Sequence, residues 1–240
     1  MNEIIKFYPW DETSFNLTLP PEPAIKNVPM YWRDTARFLS DSKELEFYPN
    51  NPDQIAGEAT PNLGLKHCMP FFDALTSGYH YLLHCDIHVK NEGGKPKISW
   101  RSSLFPLTVR STNEIPTPTG YYDEHLSWQM WWGIKTPPGW SVLVTPPVNR
   151  HDLPFTSTYG MVDYDKYFSP GNISFFIKEG FEGVIPMGTP IFQIIPIKRS
   201  DWKMEIDLEV QKEGRLDQEK KKNKLYGYYK KFVREDRTYD

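Results

Sequence analysis

Proline is the residue that most restricts what this chain can fold into. The sequence holds 22 prolines against 15 glycines, and prolines recur throughout its first 200 residues. Because a proline inside a helix removes a backbone donor and clashes with the preceding turn, this part offers almost no run long enough for the helices of a bundle. Aromatic residues make up 15% of the chain and favour strands. The sequence therefore predicts a mostly β protein of short strands and rigid loops.

The chain divides into three regions by composition. Residues 1–60 are punctuated by prolines and predict an extended N-terminal arm. Residues 61–202 alternate short apolar runs with turn residues, which predicts a β core domain with eight to twelve strands between 64 and 202. Residues 203–240 are dense in both charges and poor in aliphatic residues, which predicts a charged, helical tail.

Several local signals refine this division. We expect a short helix near 34–40, a helical turn over 70–76 and an interruption of the tail helix near Gly227. Turns are expected at 49–52 and at Gly93-Gly94. We also expect a strand ending at Pro146-Pro147 and three short strands over 171–199.

Charge and cysteine content exclude several classes of protein. The net charge is −3 and the isoelectric point about 6.1, so global electrostatics do not favour nucleic acid or anionic membranes as partners. The lysines of the tail could meet phosphates, but acidic neighbours nearly cancel their charge. Two cysteines, Cys68 and Cys85, cannot build the disulfide framework of a small secreted domain. With no apolar run near the roughly 18 residues of a membrane span and no signal-peptide pattern, we expect a soluble protein of the cytoplasm.

The stretch "SGYHYLLHCDIHV", residues 77–89, holds three histidines at a spacing of four. Its intervening residues favour a strand with one apolar face and one polar face. The apolar face comprises Tyr79, Tyr81, Leu83, Cys85, Ile87 and Val89. The polar face comprises His80, Leu82, His84, Asp86 and His88. Residues four apart along a strand are separated by roughly 13 Å, so the three histidines cannot share one metal ion on a regular strand.

Two interpretations of the polar face remain open. His84 and Asp86 are two apart and could begin the two-histidine-one-carboxylate site of a non-haem iron oxygenase with a cupin-like barrel. The third ligand would be His151 or His125, and Arg150 could hold an acidic co-substrate. The other interpretation is a polar strand face, at the surface or at a subunit interface, that binds no metal.

Four segments resemble, in the same order, the motifs of the dUTPase and dCTP deaminase superfamily. They are "LTSGYHYLL", "PPGWSVLVTPPVNR" and two parts of the stretch from Gly160 to Pro196. The matching positions in that stretch are Gly160, Val162, Asp163, Tyr167, Gly171, Ile173, Ile185, Gly188, Ile191, Gln193 and Ile194. Taken whole, the chain also resembles a protein family of tailed phages and bacteria, through "CMPFFDALTSGY", "TPPGWSVLVTPPVNRHDLPF" and "FEGVIPMGTPIFQIIPIKR".

The resemblance implies a dUTPase-like β-clip core, often trimeric, in a phage-type protein of the host cytoplasm. In such a site Asp163 would orient the attacking water and Tyr167 would stack on the deoxyribose, as the two catalytic residues. Tyr79, His80 and Arg150 would contact the ligand, and Mg²⁺ would accompany its phosphates.

The sequence also departs from the superfamily pattern. His80 replaces the aspartate of the first motif, and Pro147-Val148 replace the phosphate-binding arginine-serine, with Arg150 two positions beyond. One extra residue separates Asp163 from Tyr167, and the charged tail stands where the glycine-rich closing motif belongs. We therefore expect a homo-oligomeric binding protein, for a nucleotide-like small molecule or a protein partner, without dUTP hydrolysis. The alternatives are the iron oxygenase and a virion or assembly component.

Overall fold

The computed structural model describes residues 3–37, 64–111, 114–222 and 228–240. Within these ranges the protein is mostly β, as the prolines and aromatic residues predict. The strands are β1 (Lys6–Pro9), β2 (Glu22–Pro23), β3 (Tyr79–Leu82), β4 (Ile87–Glu92), β5 (Lys95–Trp100), β6 (Leu107–Val109), β7 (Leu126–Gln129), β8 (Trp132–Lys135), β9 (Trp140–Thr145), β10 (Phe155–Ser157), β11 (Gly160–Val162), β12 (Asn172–Ile177), β13 (Gly183–Ile185) and β14 (Pro190–Lys198). The α-helices are α1 (Glu12–Leu17), α2 (Met30–Asp34), α3 (Met69–Thr76), α4 (Val210–Lys222) and α5 (Tyr228–Phe232).

All strand pairs are antiparallel, and they form four sheets in the described part of the chain. The orders are β11-β9-β14-β3-β2, β10-β12-β7-β6, β13-β4-β5 and β1-β8. The longest strand, β14, lies between β9 and β3, and these three strands carry three of the four segments that resemble the superfamily motifs.

The chain separates into two compact units. One contains Met1–Asn27, Leu75–Ser200 and Tyr239–Asp240 and includes all four sheets. The other contains Val28–Ala74 and Asp201–Thr238. In this second unit the Arg234 guanidinium forms a salt bridge with Asp73, and Trp32 stacks on Phe71 with ring centroids 5.4 Å apart. No helix in the described residues is both long and apolar enough to cross a membrane.

Aromatic side chains fill the core of the sheet-bearing unit. Trp128 on β7 is fully buried and stacks on Phe175 of β12, with centroids 3.6 Å apart and planes 7° from parallel. The Tyr81 hydroxyl of β3 accepts hydrogen bonds from the backbone N–H groups of Trp131 and Trp132, at 2.5 and 2.8 Å. Burial raises the pKa of this hydroxyl well above its ordinary value, so Tyr81 remains neutral. Each buried polar group of these aromatic residues thus has a partner.

Residues 3–27, the described start of the predicted N-terminal arm, pack with the sheets, and residues 38–60 of that arm lie outside the described residues. Strand β1 pairs with β8, and β2 pairs with β3 through Glu22 opposite His80. Helix α1 begins with a capping box, in which the Ser14 N–H donates to Asp11 Oδ1 at 2.7 Å and the Asp11 N–H donates to Ser14 Oγ. The indole N–H of Trp132 donates to Thr18 Oγ1 at 2.8 Å, which ties the end of this helix to the core.

Most local predictions for the core are confirmed. Twelve strands lie between residues 64 and 202, α3 contains the predicted helical turn, and the Gly93-Gly94 turn joins β4 to β5. The strand before Pro146-Pro147 is β9, the three strands over 171–199 are β12 to β14, and the tail contains α4 and α5. A helix near the predicted 34–40 spans Met30–Asp34, so residues 35–37 are not helical as predicted. Residues 38–40, the predicted turn at 49–52 and the predicted interruption at Gly227 lie outside the described residues.

The prediction of one continuous strand over the histidine stretch is wrong. β3 ends at Leu82, and β4 begins at Ile87 in a different sheet. The prediction of a polar face is also wrong at His80 on β3 and at His84 just after it, because both side chains are buried. Asp86 and His88 are exposed, as predicted. The physical reason is that β3 lies inside the five-stranded sheet, between β14 and β2, with both of its faces covered.

Gly78 allows β3 to approach β14. Its φ is +68°, and a Cβ at this position would overlap the carbonyl oxygen of Ile194. Gly120 has a similar φ of +83°, but a Cβ there would meet no atom within 4 Å. A comparison of alanine substitutions at the two glycines therefore separates the cost of backbone strain from the cost of steric overlap.

We predict that Gly120→Ala costs about 1 kcal/mol of unfolding free energy, because alanine is strained at positive φ. Gly78→Ala should cost roughly 2 kcal/mol more than that, because β14 must also move away from the new Cβ. Urea unfolding monitored by tryptophan fluorescence measures both values. Equal losses for the two variants would show that the approach of β3 to β14 is not tight.

Candidate functional site

The loop that follows β9 forms the centre of the candidate site. It runs from Pro146 to His151 and contains Asn149, whose φ of +59° is the one positive value at a non-glycine residue in the described chain. Asparagine tolerates this conformation better than most residues. The Arg150 N–H donates to the Pro147 carbonyl at 3.1 Å, which closes the loop as a turn. The loop therefore has a defined conformation that presents Arg150 and His151.

Gln193 on β14 fixes this loop from beneath. Its side chain is fully buried, and its Oε1 accepts a hydrogen bond from the Val148 N–H at 2.9 Å. Its Nε2 donates to the carbonyl of Ser77 at 2.6 Å, just before β3. One amide thus joins three segments that are distant in sequence: the β9 loop, β14 and the start of β3. Loss of either bond would leave a buried polar group without its partner.

His80 lies directly opposite Gln193 in the β3–β14 ladder. It is 1% exposed, and neither ring nitrogen has a hydrogen-bond partner of ordinary geometry. Burial, together with the nearby Arg150 cation, lowers the pKa of His80 to about 4, although the adjacent Gln193 amide partly opposes this shift. His80 is therefore neutral at physiological pH and supplies no charge to a ligand.

A cavity of about 460 Å³ opens beside the loop, and we call it the Arg150 cavity. Its polar and aromatic lining includes Arg150, His151, Lys178, Tyr121, Tyr159 and Thr145. Tyr159 is 75% exposed, which is unusual for a large aromatic side chain. The cavity thus combines two permanent cations with two tyrosine rings.

The cations of the Arg150 cavity already have partners within the chain. The Arg150 guanidinium binds both oxygens of Asp152, with Nε 2.9 Å from Oδ1, and its side chain is mostly buried. This partner lowers the pKa of the Asp152 carboxyl below its ordinary value, against the opposing effect of desolvation. Lys178 Nζ donates to the His151 carbonyl at 2.8 Å. Both side chains are therefore held in place, Arg150 by a carboxylate and Lys178 by a carbonyl.

Asp163 and Tyr167 lie elsewhere in the same unit. Asp163 follows β11, and its Oδ1 accepts a hydrogen bond from Ser141 Oγ at 2.6 Å and forms an ion pair with Arg199 at 3.2 Å. Ser141 and Thr145 stand at opposite ends of β9, four residues or roughly 13 Å apart. Because Thr145 is the residue opposite Gln193, one chain does not bring Asp163 together with His80 and Arg150.

Arg199 organises the cluster around Asp163. Its guanidinium forms a second, shorter ion pair with Asp165, whose Oδ2 also accepts the Gly139 N–H at 2.9 Å. The hydrogen bond from Ser141 and the charge of Arg199 hold the pKa of Asp163 below its ordinary value. The hydrogen bond from Arg199 lowers the pKa of Asp165 even further. Both carboxylates are thus ionised and committed to a structural ion cluster.

Tyr79 and Tyr167 occupy different surroundings. Tyr79 packs edge-on against Phe7, with ring centroids 5.1 Å apart, and against Tyr239 at 6.0 Å. Burial is the main cause that raises the pKa of its hydroxyl. Tyr167 is half-exposed and lies 6.3 Å from the ring of Tyr164. The resemblance assigns a catalytic or ligand-binding role to five residues. The structure brings three of them, Tyr79, His80 and Arg150, near β14. The other two, Asp163 and Tyr167, lie at the other end of β9.

The proposed iron site is not assembled. His84 and Asp86 line one cavity, whereas His151 lines the Arg150 cavity. His125 directly precedes β7, is buried, and stacks on the ring of Phe176. Across the residues that the structure describes, no three His, Cys, Asp or Glu side chains lie close enough to hold one ion. The structure does not bring the expected ligand set of His84, Asp86 and His151 together, because His151 lies at a different cavity from the other two residues.

Sequence reasoning missed several residues of this region. Arg199, Asp165, Lys178, Tyr121 and Tyr159 carry no motif spacing that marks them. Arg199 and Asp165 could have been noticed as charges that flank the ends of β14 and β11, but their pairing depends on which strands are neighbours.

Comparison with known proteins adds no identification. No family model matches the sequence, and no match is found among the curated proteins.

We predict that His80 makes the protein less stable in mild acid. Its pKa is about 4 in the folded state and 6.5 in the unfolded chain, so the unfolded chain binds the proton first as the pH falls. Stability should fall by about 3 kcal/mol between pH 6.5 and pH 4 from this residue and stay level above pH 6.5. Urea unfolding of wild type and His80→Asn across this range measures the difference.

His88→Asn is the control, because the His88 side chain lies in solvent on β4. It should retain the pH dependence of wild type, whereas His80→Asn should lose the part that His80 contributes and keep the part due to the buried His84. An unchanged slope in His80→Asn would contradict the burial of a neutral histidine at this position.

Proposed function

We propose that this chain is a homo-oligomeric, phage-type binding protein with a β-clip core, and that it holds a nucleotide-like anion in the Arg150 cavity. The observation that carries the proposal is the combination, around one rigid loop, of Arg150 and Lys178 with the rings of Tyr121 and Tyr159. A nucleotide presents the matching pair of features, an anionic phosphate and a flat ring.

The phosphate would be bound by the two cations. Arginine forms bidentate, charge-assisted hydrogen bonds with phosphate, and lysine supplies a point charge. In the described part of the chain Lys178 forms no close ion pair, although its charge helps to lower the pKa of the Asp152 carboxyl. Its Nζ, which donates to the His151 carbonyl, would also donate to a ligand phosphate. Arg150 would exchange part of its contact with the half-exposed Asp152 carboxylate for the phosphate. Mg²⁺ would accompany a di- or triphosphate and reduce repulsion from Asp152.

The ring would stack on tyrosine. Tyr159 exposes three quarters of its surface at the cavity, and stacking of a base on an aromatic side chain contributes about 1–3 kcal/mol. The side chain is already exposed in the free protein, so binding would bury apolar ring surface rather than break existing contacts. This gives affinity without a requirement for one particular base.

Three segments that resemble the superfamily motifs support the β-clip fold. The residues around Gly78 to His80, the loop at Val148 to Arg150, and Gln193 meet through the hydrogen bonds of Gln193. In the resemblance the first two of these segments contact the ligand.

Binding is a better proposal than hydrolysis. Asp163, the residue that would orient water, already accepts a hydrogen bond from Ser141 and forms a salt bridge with Arg199. His80, where the superfamily carries aspartate, is neutral and buried. A general base must be within hydrogen-bond reach of the water it activates, and neither residue meets this condition at the Arg150 cavity.

A specific feature also favours assembly, which would suit a virion or assembly component. Strand β11 is an edge of the five-stranded sheet, and its Met161 side chain is 58% exposed. Tyr167 and Phe168 are half-exposed just beyond the strand. An edge strand next to exposed apolar side chains is a site where a second copy of the chain can add a strand.

We predict that deoxynucleotides raise the melting temperature in the presence of Mg²⁺. A panel of deoxynucleoside mono- and triphosphates should contain at least one stabilising ligand, because a ligand that binds the folded state alone stabilises it by mass action. Lys178→Met and Tyr159→Ala should each weaken that ligand by about tenfold, as measured by calorimetric titration.

Tyr229→Ala is the matched control, because Tyr229 is an exposed tyrosine on α5, in the other unit. The Tyr229→Ala variant should bind the stabilising deoxynucleotide with the same affinity as wild type. A flat panel would remove the nucleotide proposal, and binding that is insensitive to both cavity variants would place the ligand elsewhere.

We predict that the protein is an oligomer in solution and that Met161→Asp shifts it toward monomer, since a buried unpaired carboxylate is costly at an interface. Light scattering coupled to size exclusion measures the mass. Val109→Asp is the control and should leave the mass unchanged, because Val109 is a still more exposed apolar residue on a different edge strand, β6. A wild-type monomer of 28.1 kDa would rule out the assembly.

A further inference from the structure

A second cavity, of about 600 Å³, opens where the link between β3 and β4 meets the residues after β5. We call it the Arg101 cavity. Its polar lining consists of His84, Asp86, His88, Arg101, Ser102 and Ser103. These residues belong to the same compact unit as the Arg150 cavity, but the two cavities share no lining residue. The function proposed above makes no use of this site.

The β4–β5 hairpin explains why Asp86 and Arg101 face one cavity. The Gly93-Gly94 turn sets the register, with Ile87 opposite Trp100 and His88 opposite Ser99. Asp86 and Arg101 are the next residues along the two strands, so they leave the hairpin together. Both side chains are exposed to solvent.

Arg101 is an available cation. Four other arginines, at positions 110, 150, 199 and 234, each bind a carboxylate of the chain. Within the described residues Arg101 forms neither an ion pair nor a side-chain hydrogen bond, although Asp86 lines the same cavity. An unpaired guanidinium in a cavity matches a ligand carboxylate, which it can bind through two parallel hydrogen bonds.

His84 supplies an acceptor. Its Nε2 lies 3.1 Å from the carbonyl oxygen of Leu104, and a carbonyl can only accept, so Nε2 carries the proton. Nδ1 is left with a lone pair. Burial lowers the pKa of His84, despite the opposing hydrogen bond to Leu104, so the neutral form persists near neutral pH. This imidazole can therefore accept a hydrogen bond from a ligand hydroxyl.

Asp86 and the serines complete a set of donors and acceptors. Asp86 Oδ1 accepts the Met187 N–H at 2.7 Å, which fixes the carboxylate and leaves Oδ2 to accept from a ligand. Ser102 and Ser103 carry hydroxyls that both donate and accept. Leu17 and Met187 add exposed apolar surface at the same cavity. The cavity carries one cation and one carboxylate, which disfavours a polyphosphate, and the unpaired Arg101 can still bind a single carboxylate.

We propose that the Arg101 cavity binds a polyhydroxylated carboxylate of the sugar-acid type. The carboxylate pairs with Arg101, and the hydroxyl groups bond to Asp86, His84 and the two serines. The C–H faces of the ligand lie against Leu17 and Met187. Each ligand hydroxyl donates and accepts, which is what a cavity with mixed donors and acceptors requires.

Three six-carbon probes test the proposal by calorimetric titration of the full chain. Gluconate carries the carboxylate and the hydroxyls, hexanoate has the carboxylate alone, and sorbitol has the hydroxyls alone. Gluconate should bind at least about tenfold more tightly than either of the others, because each part contributes hydrogen bonds, those to charged groups being worth about 1.5–3 kcal/mol. Absence of gluconate binding, or equal binding of hexanoate, would overturn the proposal.

Arg101→Met locates the site. It should weaken gluconate by about 10- to 100-fold, the range expected for loss of a charge-assisted contact. Lys97→Met removes an exposed cation from the same hairpin, outside the cavity, and should leave affinity unchanged. Added gluconate should also shift the ring resonances of His84 and His88 in NMR spectra of wild type. Full affinity in Arg101→Met, or histidine resonances that do not move, would overturn the assignment.

Discussion

The sheet-bearing unit depends on a single buried amide. Gln193 lies in the middle of β14, the strand between β9 and β3, and its two polar atoms hold the backbone of the β9 loop and the residue before β3. A side chain with both a donor and an acceptor is needed, because one partner is an N–H group and the other a carbonyl. Apolar residues of similar size would pack equally well but would leave both groups unpaired in the core.

This arrangement also explains the distribution of charge along β9. At one end, Asp163, Asp165 and Arg199 satisfy one another and tie β11 to the end of β14. At the other end, Arg150 and Lys178 surround an open cavity, and the neutral His80 lies beneath them. At the first end the carboxylates are committed to Arg199, whereas at the second end Arg150 is paired with Asp152 and Lys178 with the His151 carbonyl beside an open cavity. One end of β9 thus carries a closed ion cluster, and the other end carries cations that line a cavity.

The sequence predicted the strands and turns well because proline and glycine act locally. It failed at the histidine stretch, since whether His80 faces solvent depends on Glu22 and Gln193, which lie far away in the chain but pair beside it. The distance of Asp163 from Arg150 likewise follows from the register of β9, which no single sequence reveals. The meeting of Asp86 and Arg101 was within reach, because the Gly93-Gly94 turn fixes the hairpin register and hence which residues leave it together.

The pairing of distant segments has a consequence for synthesis on the ribosome. β1 can pair with β8 only after Lys135, the partner of Lys6, has been made. β3 can pair with β14 only after Ile194, the partner of Tyr79, has been made. The five-stranded sheet therefore cannot form until β14, which ends at Lys198, has been made. Until then β3 has unpaired backbone groups on the edge that β14 later covers, and such edges associate with other chains. A nascent polypeptide of this kind folds slowly and benefits from chaperones during translation.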